Sequence, residues 1–187
     1  YVRMLSDLPA GDQPNSRSPL GETFVAKVVN VDSGTQLTVN VGLPYDFTTG
    51  NQKIAEVTNV LRNVGFENMT LLNNTPDIGD LSDALILFTN AAESWVTDME
   101  LGRTWSVAIG NNNGGWNYIP GNIFREQKKT TDFDKGQVRH RANTSGVQIE
   151  NNAFLDTDVA CEYENGTTYN ICAYNYQTGT GDDAECE

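Results

Sequence analysis

The sequence predicts an α+β fold that is mainly β: a twisted antiparallel sheet or small β-sandwich, with one or two helices packed on one side. Three observations lead there. Polarity comes from amides and hydroxyls, with 21 Asn, 19 Thr and 17 Gly against only 20% charged residues; Thr suits strands, and Asn and Gly suit turns. Short β-branched runs separated by turn residues recur along the chain. One segment, residues 49–65, shows helical spacing between a capping box and a glycine stop. At 187 residues and 38% hydrophobic content, the chain is long enough for one well-buried core.

Residues 1–21 read as an extended N-terminal arm. Pro9, Pro14 and Pro19 oppose a helix or a central strand. Val2, Met4, Leu5 and Leu8 give the arm an apolar tip that docks either on its own domain or in the groove of a neighbouring subunit. Residues 22–187 then form a single globular domain ending in a disulfide-tied acidic hairpin and tail. Residues 23–31 and 35–41 flank Asp32-Ser33-Gly34 and predict a hairpin. In the next segment Ile54, Val57, Leu61 and Val64 follow the Thr49-to-Gln52 capping box, and Gly65 supplies the stop.

Residues 66–72 read as a returning strand. Leu81, Leu85, Phe88, Ala92 and Trp95 trace a helical stripe behind Asp80 as cap, although residues 84–89 would also serve as a buried strand. Short strands follow near 104–109, 116–119, 137–141, 147–149, 154–155, 159–163 and 169–176. No repeat of fixed period accompanies them.

With one histidine among three cysteines, a His/Cys metal cluster is not expected. A four-residue loop at 165–168 would set Cys161 opposite Cys172 across a hairpin, within disulfide reach. A tighter Asn165-Gly166 turn would instead oppose Cys161 to Asn170. Cys186 remains, for a bond to another chain or a tie of the C-terminus to the body. Asn68, Asn73, Asn143 and Asn165 head glycosylation sequons. With the disulfide, they point to an extracellular place or a cell or particle surface. The longest apolar run, residues 84–88, falls far short of a membrane span, so no membrane insertion is expected.

Charge is unevenly distributed. The net charge is −13, yet residues 125–141 hold six of the twelve basic residues: Arg125, Lys128, Lys129, Lys135, Arg139 and Arg141. The last 46 residues hold nine acids and no Lys or Arg. A positive segment on an acidic chain attracts an acidic partner, its own tail or a copy's tail. The negative surplus opposes a nucleic acid.

The glycine-rich stretch 110–115 lacks the helix that a phosphate cradle needs. Its Asn111, Asn112 and Asn113, beside Trp116 and Tyr118, form a candidate glycan-binding loop, with amides for hydrogen bonds and rings for stacking. Trp95 and Trp105 read as core. Asp132 with Asp134, and Asp156 with Asp158, resemble fragments of calcium loops without the later acidic ligand, so no metal or other cofactor is implied.

His140, between Arg139 and Arg141, is expected to stay neutral. No nucleophile signature accompanies it, and no catalytic residue is assigned. The leading expectation is a non-enzymatic extracellular structural subunit. It would assemble as a homo-oligomer or polymer (filament, shell or surface layer) through its arm and its complementary charges. The alternatives are a glycan-binding, adhesive module and a small secreted hydrolase.

Overall fold

A computed structural model describes residues 1–6, 23–42, 52–73, 84–104, 107–127, 136–141, 144–163 and 167–179. Among these there is no helix. Five strands precede the main body: β1 (Val2–Ser6), β2 (Thr23–Ala26), β3 (Val28–Ser33), β4 (Gln36–Val39) and β5 (Gln52–Glu56). The body is a coil of successive turns. Its first turn has β6 (Leu61–Arg62), β7 (Gly65–Glu67) and β8 (Thr70–Leu72). The second has β9 (Ile86–Thr89), β10 (Ala91–Ala92), β11 (Trp95–Thr97) and β12 (Glu100–Gly102). The third has β13 (Ile109–Asn112), β14 (Tyr118–Pro120) and β15 (Ile123–Arg125). The fourth has β16 (Gly136–His140), β17 (Gln148–Glu150) and β18 (Ala153–Leu155). The fifth has β19 (Val159–Tyr163), β20 (Ile171–Ala173) and β21 (Tyr176–Thr178).

Strands stack parallel from coil to coil into three walls. The first is β7-β11-β14-β17-β20, the second β8-β12-β15-β18-β21 and the third β9-β13-β16-β19. The architecture is a parallel β-helix. It replaces the expected antiparallel sheet or sandwich with helices; among the described residues antiparallel pairing is confined to β1–β2, β1–β5 and β3–β4. The β3–β4 hairpin forms where the turn residues predict it.

Both expected helices are strands. Ile54 lies in β5, which pairs with β1, and Leu61 lies in β6, which pairs with β10. Phe88, Ala92 and Trp95 belong to three successive strands of one coil. A coil of short strands turns apolar residues inward at irregular short intervals, and over ten residues that pattern imitates a helical stripe. The capping residues Thr49 and Asp80, and Leu81, lie outside the described residues.

Coils alternate between 30 and 23 residues, the spacing seen in the contacts that link them. That alternation hides the repeat from a search at one period. The extra residues fall between the second and third walls, at 74–83 and 128–135.

The walls meet at sharp corners in left-handed backbone. One corner column is Asn63, Glu93, Trp116, Gly146 and Tyr169; the next is Asn68, Asp98, Gly121, Asn151 and Tyr174; Arg103, Glu126 and Asp156 continue a third. Positive φ is unusual outside glycine, and Asn and Asp tolerate it best. Corner geometry therefore accounts for part of the asparagine content.

The interior accounts for more of it. Phe66, Val96, Ile119, Ile149 and Cys172 line the first wall, and Leu71, Leu101, Phe124 and Phe154 the second. Phe124 and Phe154 stack at 4.6 Å. Beside them runs an amide ladder. Met99 N–H donates to Asn122 Oδ1 (3.0 Å), Asn122 N–H to Asn152 Oδ1 (2.8 Å), and Asn152 N–H to Asn175 Oδ1 (2.9 Å). A second ladder starts at Ser94, whose N–H donates to Asn117 Oδ1 (3.0 Å). Each side chain satisfies backbone groups that bend out of strand pairing at a corner.

The β2-β1-β5 sheet docks along the corner between the third and first walls. Val25 N–H donates to Ser145 Oγ (3.1 Å), and Phe24 meets Tyr169 at 5.7 Å. Lys27 pairs with Glu93, chiefly through a hydrogen bond that holds the Glu93 carboxyl below its usual range. Tyr1 lies under Arg62, its phenol pushed up to about 12 by burial first and by Glu93 second.

Candidate functional site

The outer side of the first wall carries large side chains aligned from coil to coil. Val96, Ile119 and Ile149 at the strand centres are sealed inside. Strand alternation therefore turns their neighbours outward. Trp95 aligns with Gly65 and with Tyr118, Tyr118 with Gln148, and Gln148 with Ile171. Parallel strands lie about 4.8 Å apart, so Trp95 to Ile171 spans about 14 Å along the coil axis. Tyr118 and Ile171 are 42% and 44% exposed, unusual for large apolar groups in line on one face.

Trp95 is positioned from two sides. Its indole N–H donates to the Glu67 carboxylate. Its Cε2, Nε1 and Cζ2 atoms fill the space a side chain on Gly65 would take, since a Cβ there would lie 2.2 Å from Cε2. The missing side chain lets the indole lie over the neighbouring strand. Trp95 is therefore on the outer face, whereas the sequence places it in the core. Two residues further along each strand, Glu67, Thr97, Pro120 and Glu150 form a second outward column.

The other aromatic candidates separate. Trp116 occupies a left-handed corner, its ring set over Gly146, where a Cβ would approach Trp116 Cε3 to 2.5 Å. Its indole nitrogen is buried. Asn111 is inside the coil, its Oδ1 accepting from Asn117 Nδ2 (3.1 Å). Asn112 is half-buried and Asn113 takes a corner with φ 52°. These residues do not converge with Tyr118 on one surface. Trp105 lies outside the described residues.

Of the basic segment, Arg125 pairs with Glu100 on the adjacent strand, and Arg139 Nε lies 3.3 Å from Glu162 Oε2. Burial lowers the Arg139 pKa, with Glu162 opposing. The Arg141 backbone N–H donates to Asn111 O (2.9 Å). Lys128, Lys129 and Lys135 fall outside the described residues, as do Leu8, Asn143, Asn165 and Cys186. Val2 is buried; Met4 and Leu5 lie in β1, the central strand of its sheet.

Cys161 and Cys172 are bonded, with Cα atoms 6.8 Å apart. They are not hairpin partners. Cys161 pairs along the third wall with Val138 and Cys172 along the first with Ile149, so the bond crosses the interior of one coil. Asn68 stands exposed at a corner, whereas Asn73 is half-buried with its N–H on Gly102 O (3.1 Å). Asp156 sits at a corner, and the Asp158 N–H donates to Gln127 Oε1 (2.9 Å).

His140 is fully enclosed and stacks on Tyr163 at 5.1 Å. Burial, rather than the flanking arginines, drops its pKa to about 3. Neither ring nitrogen has a hydrogen-bond partner. Sealed among Asn111 and Tyr163, it has no access to a substrate at the surface.

No family model, curated protein or solved structure matches this chain.

Proposed function

We propose that the protein is a non-enzymatic extracellular module that holds an extended glycan along the outer face of the first wall. The observation that carries this reading is the in-line column Trp95, Tyr118, Gln148 and Ile171. Aromatic faces pack against the C–H faces of pyranose rings, and the Gln148 amide next to Tyr118 serves hydroxyls. The strand spacing is close to the length of one sugar in an extended chain. Enclosure of His140 keeps its imidazole away from this face. The internal disulfide supports an oxidising, extracellular setting.

Trp95→Ala and Tyr118→Ala are each expected to weaken binding to an extended oligosaccharide by about tenfold, with unchanged melting temperature. Isothermal titration of a hit from a glycan array reads this. An array without hits, or a double variant that binds as before, overturns the proposal.

Self-assembly into a filament, shell or surface layer is the second reading. Two of its sequence-level supports are engaged within the chain, since β1 is paired on both edges and Arg125 and Arg139 have acidic neighbours. What favours it is the outer surface of the last coil, where Tyr174 and Tyr176 are 84% and 62% exposed. Light scattering at rising concentration is expected to show mass growing with concentration; a constant monomer mass removes this reading.

A further inference from the structure

We infer that the glycan held on the first wall is a cationic one, a chain of hexosamine units with free amines; this rests on the glycan-binding reading above. The five strands of the wall read Gly-Phe-Glu, Trp-Val-Thr, Tyr-Ile-Pro, Gln-Ile-Glu and Ile-Cys-Ala, with acids and no basic residue. The left-handed corner at its edge adds Asp98 and otherwise Asn68, Gly121, Asn151 and Tyr174. Glu67 and Glu150 stand in the column next to the aromatic one. A ring stacked on Trp95 or Tyr118 therefore has carboxylates beside it in the next column and at that corner, where the described residues include no cation.

The described cations nearest the wall do not cancel that sign: Arg62 lies over the Tyr1 ring, at the edge away from Asp98. Arg125 is committed to Glu100 and Arg103 Nε to Glu126 (3.0 Å), both beyond the corner, and Lys27 to Glu93 on the opposite side. Glu67 already accepts the Trp95 indole N–H, which fixes that carboxylate at the aromatic platform. The net charge of −13 adds a long-range field of the same sign. Uronate or sulfated chains meet repulsion on approach and at contact. A neutral chain gains only stacking and hydroxyl contacts. An amine-bearing chain gains stacking and charge together, without any change in the backbone it presents.

Two probes isolate the charge: a β-1,4-linked glucosamine hexamer and its fully N-acetylated counterpart, titrated against the full chain at slightly acid pH. The amine form is expected to bind about tenfold tighter at low salt, and the advantage to vanish in about 1 M salt, where the screening length is about 3 Å. Glu150→Gln with Asp98→Asn is expected to remove most of the advantage and leave the acetylated form unaffected. Trp95→Ala weakens both forms alike. Equal binding of the two forms at low salt overturns the inference while the glycan-binding reading stands. Tighter binding of a galacturonate hexamer overturns it also. Binding of none of the three takes down the reading on which it rests.

Discussion

Asn152→Ala is expected to cost about 3–5 kcal/mol, because it strips partners from two buried backbone groups of the preceding coil at once. The side chain, 2% exposed, makes four hydrogen bonds. Its Oδ1 accepts from the Asn122 N–H (2.8 Å) and from Asn122 Nδ2 (3.0 Å). Its Nδ2 donates to Ile119 O (2.8 Å) and to Asn175 Oδ1 (3.0 Å). Alanine leaves the Asn122 N–H and the Ile119 carbonyl without these partners in the dry interior. Asp is worse than Ala, since its second oxygen would face the Ile119 carbonyl and the Asn175 Oδ1.

The neighbouring Asn151 is the control. It sits exposed at φ 56°, and its replacement by alanine is expected to cost about 1 kcal/mol for left-handed backbone alone. Urea denaturation with an unchanged slope separates the two. A loss below about 1 kcal/mol for Asn152→Ala would show that the ladder is not what holds the corners.

His140→Phe is expected to make the protein resistant to acid. The folded pKa is about 3 against an unfolded value of 6.5. Below pH 6.5 the unfolded chain therefore takes up a proton that the folded chain refuses. Stability falls by about 1.4 kcal/mol per pH unit from about pH 6.5 down to about pH 3, and this loss is absent above that window. Phenylalanine keeps a ring to stack on Tyr163 and does not titrate. At pH 4 the variant is expected to exceed the parent by about 3 kcal/mol more than it does at pH 8. A difference independent of pH would assign the acid sensitivity to other groups.

Much of the strand content was legible in the sequence, but the direction in which strands pair was not. Alternation in residues 35–41 marks a half-buried strand, and the β3–β4 hairpin follows from the turn residues. In the coil each strand offers only one or two inward positions, so Val96, Ile119 and Ile149 announce burial without announcing parallel partners. Their partners lie 23 or 30 residues away, beyond any local pattern.

Abundant asparagine pointed to turns in general, but not to the corners at Asn63, Asn68 and Asn151, the first two of which the sequence places inside a helix and a strand. Nothing in composition distinguishes these from Asn111, Asn117, Asn122 and Asn152, which are nearly sealed inside. The bonded cysteines were legible and their geometry was not, because a separation of 11 fits a hairpin as well as two walls of one coil. At the site, Tyr118 could be named from sequence. Trp95 could not, since its outward place depends on Gly65 from the preceding coil.

The unequal coil lengths also define where this body tolerates growth. Nearly all extra residues enter between the second and third walls, and every wall resumes in register beyond them. Lengthening such a connection costs entropy that rises only with the logarithm of its length. That single seam is where a grafted peptide, an epitope or a whole extra module would be carried without disturbing the stack beneath it.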